Sequence, residues 1–247
     1  MNWNHVVAKL TPYIVKIETP MGSGTGFLCT YNDVKNWCGI ATALHVVEYA
    51  EQWQQPIRVH HFPTKQQVFL KESNRVIYTD YKTDSAVILF QRPEKVFPDD
   101  LIPLVPRDKP ISIGVEVGWL GFPGIEPYTL CFFSGNVSAR RDDRSAYLVD
   151  GVAINGVSGG PVIFSNETDG VQIVGTVSAY RANRTGGESL PGLLIAQDVS
   201  HFHEVIQHIR SVDEARRKKQ ELQESPKDPN TKVVKSIEPE KVSLSLH

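Results

Sequence analysis

The chain has few cysteines, little net charge and no long apolar run, and each shortage excludes a class of protein. A net charge of -2 over 247 residues argues against a broad nucleic-acid-binding face. No apolar run approaches the ~20 residues that a membrane-spanning helix needs. The N-terminal residues also lack the basic and apolar regions of a secretory signal. The composition, 40% hydrophobic and 22% charged, is that of an ordinary globular chain.

The three cysteines, Cys29, Cys38 and Cys131, form an odd set with no zinc-type spacing. We interpret them as free thiols, although Cys29 and Cys38 could also face one another across a hairpin. The histidines likewise lack a ligand spacing such as His-Glu-x-x-His. We therefore expect no metal site, a reducing compartment and a cytoplasmic protein.

Short β-branched runs separated by Gly, Pro, Asn and Asp dominate from residue 12 to residue 197 and predict an all-β barrel or sandwich. The predicted strands are Tyr13–Glu18, Gly26–Thr30, Cys38–Ala43, Ile57–His61, Val68–Leu70, Ser85–Phe90, Val115–Leu120, Tyr128–Ser138, Ala146–Leu148, Pro161–Phe164, Val171–Ala179 and Gly192–Ala196.

Three segments predict helices. A short N-terminal helix ends at Leu10, and residues 45–53 form a short helix or turn. From Ser200, apolar residues at helical spacing predict a C-terminal α-helix that docks on the body. Residues 213–247 are charged and then contain three prolines, which indicates a charged helical extension and a flexible tail.

A serine, Ser158, lies among three glycines in the segment NGVSGGP at 155–161. Glycines let the backbone turn sharply, so that N–H groups can converge on one point as an oxyanion hole requires. A serine nucleophile also needs a base such as histidine, and the histidine needs an acceptor that fixes its tautomer. His45 and Asp84 each lie beside an apolar run and can fill these two roles. The N–H groups of Gly156 and Ser158 can then form the oxyanion hole.

Each of these features has a simpler interpretation as well. A glycine pair is typical of a tight turn, a histidine such as His45 occurs at helix starts, and Asp84 can cap a turn. The occurrence of His45, Asp84 and Ser158 together, in that chain order, favours the catalytic interpretation over coincidence.

The segments that contain His45, Asp84 and Ser158 resemble motifs of the trypsin-like serine peptidases, especially of the bacterial high-temperature-requirement (HtrA/DegP-type) branch. TALHV at 42–46 is similar to the Thr-Ala-x-His segment, and TDSAVI at 83–88 to the Asp-hydrophobic-Ala-hydrophobic strand. GVSGGP at 156–161 is similar to Gly-x-Ser-Gly-Gly-Pro, and GSGTGF at 22–27 to the stretch that opens the first barrel. The resemblance covers residues 12–210.

The resemblance implies a chymotrypsin-like, all-β fold of two six-stranded antiparallel β-barrels with a C-terminal α-helix. Residues 1–212 would form the peptidase domain, with the barrel boundary near 100–112, and residues 213–247 the extension and tail. His45 and Asp84 would come from the first barrel and Ser158 from the second. The mechanism needs no metal or organic cofactor, and we expect no PDZ domain after the helix.

Val157 departs from the family pattern, because the digestive-type enzymes have an aspartate there and the HtrA-type branch usually has an asparagine. We expect no activation by chain cleavage. The sequence does not indicate which contacts hold the segment 155–161, here called the oxyanion loop, in its active shape. The resemblance places Ser178 and Tyr180 on the wall of the pocket for the side chain before the cut, and Val152 near its base. Ser178 would also bond Asp84. We expect cleavage after small or medium aliphatic residues.

The sequence thus predicts a serine endopeptidase that cleaves protein or peptide substrates through an acyl-enzyme intermediate. The alternative is a conditionally active or inactive protease-fold module that binds or senses a partner, and ester hydrolysis is a third interpretation. The 213–247 segment is either a docking site for a partner protein or a linker. We expect no nucleic-acid or membrane partner.

Overall fold

The structure, a computed structural model, describes residues 2–152, 154–166, 168–185 and 188–224, without the side chains of residues 180, 182–191 and 222–224. Strands dominate the described residues. They are β1 (Ile14–Thr19), β2 (Gly22–Tyr31), β3 (Trp37–Ala43), β4 (Ile57–His61), β5 (Gln67–Leu70), β6 (Arg75–Asp80), β7 (Ser85–Gln91), β8 (Glu116–Gly121), β9 (Cys131–Arg141), β10 (Ala146–Asp150), β11 (Pro161–Asn166), β12 (Gly170–Thr185) and β13 (Glu188–Asp198). The α-helices are α1 (Trp3–Leu10), α2 (Leu44–Gln52) and α3 (Ser200–Glu224).

The first half of the chain forms a seven-stranded antiparallel sheet in the order β5-β4-β1-β2-β3-β7-β6. The expected six-stranded closed barrel is therefore wrong for this half: the sheet has one more strand, and β5 and β6 are its edges. The sheet curls around a core that includes Phe27, Ile40 and Phe90, all fully buried.

A side chain of β6, that of Arg75, links the two edge strands of this sheet. A 3-10 turn at Glu72–Asn74 separates β5 from β6. The Arg75 guanidinium donates to the carbonyl oxygens of Leu70, Gln55 and Ala50 at 2.8–3.0 Å. Buried backbone carbonyls need such partners, and here an arginine supplies them instead of a strand.

The second half forms a closed six-stranded barrel in the order β10-β13-β12-β11-β8-β9, as expected. Its interior is apolar and includes the fully buried Trp119, which stacks on Phe133 at a centroid distance of 6.0 Å. The sequence prediction missed β6, and it started β2 at Gly26 instead of Gly22. The missed residues are mostly exposed, partly buried, polar or glycine, so that they carry little apolar signal.

All three helices pack on this body. In α1 the Asn2 side chain accepts the N–H of Asn4 at 3.1 Å, as an N-cap does. Helix α3 buries Phe202, whose ring meets Phe27 of β2 edge-on at 5.8 Å. It continues unbroken past residue 212 to Glu224, and the rest of the predicted tail lies outside the described residues. Within the described ranges, every helix is too short or too polar to cross a membrane.

Candidate active site

Asp84 lies in the turn that joins the edge strand β6 to β7, where Asp80 pairs with Ser85. Its φ of +47° is in the left-handed region, which aspartate tolerates better than most residues. The turn is fixed from outside, because the Asp84 carbonyl oxygen accepts the N–H of Leu44 at 2.9 Å. The sequence thus folds the aspartate against the start of α2.

His45, the second residue of α2, makes two hydrogen bonds to the Asp84 carboxylate. Its Nδ1 lies 2.8 Å from Oδ2, and its backbone N–H donates to Oδ1 at 3.0 Å. A carboxylate only accepts hydrogen bonds, so Nδ1 carries the proton and Nε2 keeps its lone pair. The imidazole is thereby held as a base whose free nitrogen faces away from the aspartate.

Ser178 ties the second barrel to the same carboxylate. It lies on β12, is 6% exposed and donates its hydroxyl hydrogen to Asp84 Oδ2 at 2.6 Å. The bond between Ser178 and Asp84 that the resemblance implied is therefore present. Asp84 receives hydrogen bonds from both halves of the molecule, and this fixes its orientation.

Ser158 shares a surface cavity of about 240 Å³ with His45. The wall of this cavity comes from the β1–β2 turn, from α2 and from the loop before β11. Its lining residues are Thr19, Met21, Gly22, Ser23, His45, Val46, Tyr49, Asn155, Gly156 and Ser158. Among the described residues, no hydrogen bond joins the Ser158 hydroxyl to His45. In ligand-free enzymes such bonds are often long and tighten only when substrate binds.

The loop before β11 presents backbone N–H groups to this cavity. The Asn155 carbonyl oxygen accepts from Gly124 N at 2.6 Å, and the Val157 carbonyl oxygen accepts from Gly160 N at 2.9 Å. A trans peptide directs its N–H opposite to its C=O, so the N–H groups of Gly156 and Ser158 are turned away from these partners. Neither has an acceptor among the described residues. Both are therefore free to bind an oxyanion.

Val157 raised the question of what supports this loop. The structure places it, fully buried, in the hydrophobic cluster of the second barrel. Its N–H donates to the Ile154 carbonyl oxygen at 3.1 Å. A Cβ added to Gly121 would lie 2.7 Å from a Val157 methyl group, so the valine packs against bare backbone. Apolar packing and this backbone bond therefore hold Val157 in place without any charge on its side chain.

Two of the residues predicted to form the substrate pocket, Val152 and Tyr180, are not placed at the cavity by the described residues. Val152 is 57% exposed and does not line the cavity that holds His45 and Ser158. Tyr180 pairs with Leu194 through the β12–β13 ladder, but its side chain lies outside the described residues.

Residues at the site that the sequence prediction did not name include Met21, Tyr49 and Thr25. Met21 and Tyr49 line the cavity, and Thr25 contacts the back of the oxyanion loop. Only Thr25 had a sequence signal, since it lies in the glycine-rich GSGTGF segment. The other two are ordinary surface residues in sequence, 67% and 41% exposed.

The architecture and the comparisons define the class of fold as that of the trypsin-like, or chymotrypsin-like, serine proteases. A similar solved structure is Rv3671c from M. tuberculosis H37Rv, a serine-to-alanine mutant in an inactive form. It matches with a TM-score of 0.55 and 17% sequence identity, over 83% of this chain and 90% of that one. At this identity the likeness concerns the fold alone. No protein-family model and no curated protein matches the chain.

Proposed function

We propose that the protein is a serine endopeptidase with the triad His45, Asp84 and Ser158. The observation that carries the proposal is the hydrogen-bonded chain from Ser178 through Asp84 to His45, which ends at the cavity that Ser158 lines. Such a chain of hydrogen bonds orients the imidazole as a base. A purely structural role for these bonds would not require a serine beside the imidazole.

The mechanism follows from these positions. Ser158 Oγ attacks the peptide carbonyl carbon while His45 Nε2 takes the hydroxyl proton. The N–H groups of Gly156 and Ser158 stabilise the oxyanion of the tetrahedral intermediate. His45 then gives the proton to the leaving amine as the C–N bond breaks. Water, deprotonated by the same imidazole, hydrolyses the acyl-enzyme and frees Ser158.

Three narrower expectations belong to the same proposal. The motifs favour the HtrA/DegP-type branch. The free thiols of Cys29, Cys38 and Cys131 support a reducing compartment such as the cytoplasm. The substrate is a protein or peptide, and residues 213–247 are a candidate docking segment for a partner protein.

Peptide hydrolysis by three proteins tests the proposal. Wild type, Ser158→Ala and the control Ser165→Ala are incubated with a peptide library and with simple esters. Ser165 lies on β11, just beyond the loop, and outside the cavity. We expect wild type and Ser165→Ala to cleave peptides, and Ser158→Ala to lose nearly all activity. Equal hydrolysis by Ser158→Ala would refute the nucleophile, and cleavage of esters alone would favour an esterase.

A second candidate function is a protease fold that is active only when a partner binds, or that only binds. In the described residues no hydrogen bond joins Ser158 to His45, an arrangement that a bound partner could complete as well as a bound substrate. A fluorophosphonate probe separates the two. Labelling of the purified protein supports a constitutive enzyme, whereas labelling only with added substrate or partner supports a switched one. No labelling under either condition supports a binding module.

A further inference from the structure

We propose that Thr25 is the positioning residue that holds the oxyanion loop in its catalytic shape, through its side-chain hydroxyl. The proposal rests on the proposed function, because it assigns a role within that active site. Thr25 lies on β2, in the first half of the chain, whereas the loop belongs to the second half. It is fully buried.

The hydroxyl of Thr25 makes two hydrogen bonds that link the loop to its neighbour. It donates to the Gly156 carbonyl oxygen at 2.8 Å and accepts the N–H of Phe122 at 3.0 Å. A hydroxyl can do both at once, and an alkyl side chain can do neither. The backbone N–H of Thr25 also donates to the Ser158 carbonyl oxygen at 2.8 Å.

These bonds act on the peptide between Gly156 and Val157, whose other bond runs from the Val157 N–H to the Ile154 carbonyl oxygen at 3.1 Å. The peptides before Gly156 and before Ser158 are held by bonds to their carbonyl oxygens from Gly124 and Gly160. The peptide between them, from Gly156 to Val157, has the Thr25 hydroxyl on its carbonyl oxygen. If that oxygen lost its partner, rotation of this peptide would turn the two oxyanion donors out of alignment.

The loop packs closely against β2 and against the segment that follows β8. A Cβ at Gly156 would overlap the carbonyl oxygen of Phe122, and one at Gly159 would overlap the Thr25 carbonyl oxygen. Gly156 and Gly159 have φ angles of +94° and +84°, so the loop follows a path that few other residues adopt. Val157 carries no charge, and no ion pair through its side chain can hold the loop. The hydroxyl thus supports the Gly156 carbonyl oxygen from β2, beside the apolar packing of Val157 and its bond to Ile154.

The test uses three substitutions of Thr25 and one matched control. Thr25→Val keeps the volume and removes the hydroxyl, Thr25→Ser keeps the hydroxyl, and Thr25→Cys keeps a weaker donor. The control is Thr30→Val, on the same strand and also buried, whose hydroxyl donates to the Tyr31 carbonyl oxygen and not to the loop. For each, kcat and KM are measured on one cleaved peptide, with the inhibition constant of a peptide boronate that fills the oxyanion site.

We expect Thr25→Val to lower kcat about 30-fold, with KM within about threefold and boronate binding weakened in parallel, because the loss concerns the transition state. Thr25→Ser and Thr30→Val stay within about threefold of wild type, and Thr25→Cys falls between Ser and Val. If Thr25→Val does not fold, the role of the hydroxyl is decided by whether kcat of Thr25→Ser exceeds that of Thr25→Cys. Equal kcat for Thr25→Val and Thr30→Val, or for Cys and Ser, would overturn the role of the hydroxyl while the proposed function stands. A wild type that neither cleaves nor labels would overturn both.

Discussion

Replacement of Asp84 by Asn tests whether the hydrogen-bond pattern around His45 has a catalytic purpose. The His45 backbone N–H can only donate, so the Asn oxygen must stay where Oδ1 is, 3.0 Å from that nitrogen. The amide NH2 group then faces His45 Nδ1, where Oδ2 now lies at 2.8 Å. Because that group donates, the imidazole must carry its proton on Nε2, which can no longer accept the serine proton.

Two terms set the size of the effect. A carboxylate and an imidazolium with charge centres ~4 Å apart attract by ~4 kcal/mol at an effective dielectric constant of ~20. Because 46% of the His45 side chain is exposed, solvent screening reduces this to ~2 kcal/mol. Reversal of a hydrogen bond to a partly buried group adds ~2 kcal/mol. The sum, ~4 kcal/mol, corresponds to a rate loss of ~10³-fold.

The rate constant for fluorophosphonate labelling measures this loss without a known substrate. The matched control is Asp80→Asn, on the same hairpin, whose carboxylate accepts from Lys82 N and the Thr83 hydroxyl and does not contact His45. We expect Asp80→Asn to label at a rate near that of wild type. If Asp84→Asn, shown to be folded by its circular dichroism spectrum, labelled within threefold of wild type, the reasoning on the tautomer would be wrong.

Three further predictions concern the fold and the loop. Arg75→Ala removes a donor from three carbonyl oxygens, of which that of Ala50 keeps its bond from the Gln55 N–H. It should lower the free energy of unfolding by ~2 kcal/mol or more in urea denaturation, with Arg75→Lys restoring only part of it; an unchanged midpoint would contradict this. Burial lowers the pKa of both His61 and His201, so the unfolded chain binds protons that the folded chain does not. The free energy of unfolding should therefore fall as the pH drops below ~6.5, and the double variant to Gln should flatten this dependence, whereas an equal slope in wild type and variant would refute it. Gly156→Ala needs a Cβ at φ +94° against the backbone of the 122–124 segment and should abolish labelling; a fully active variant would mean that the loop adopts another path.

The second barrel and the candidate residues His45, Asp84 and Ser158 could be identified from the sequence because their signals are local. His45, Asp84 and Ser158 each follow or precede an apolar strand, and strands with buried side chains are easy to recognise. The barrel strands β8 to β13 are separated by clear turn residues. Chain order and motif then indicated which residues meet.

The first sheet and the loop support could not be predicted, because they depend on contacts between distant residues. β6 shows weak alternation, since Val76 is 48% exposed and Ile77 only partly buried. At the edge of the sheet, Arg75 donates to three carbonyl oxygens on other segments, a contact that the sequence does not signal. The contact between Thr25 and Gly156 joins residues 131 positions apart, and no sequence pattern near either residue predicts it.

The site of covalent attachment by a fluorophosphonate, mapped by mass spectrometry of the digested protein, tests the central claim most directly. The account predicts one adduct, on the peptide that contains Ser158, and its loss in Ser158→Ala. An adduct on any other residue, or one that persists in Ser158→Ala, would contradict the account.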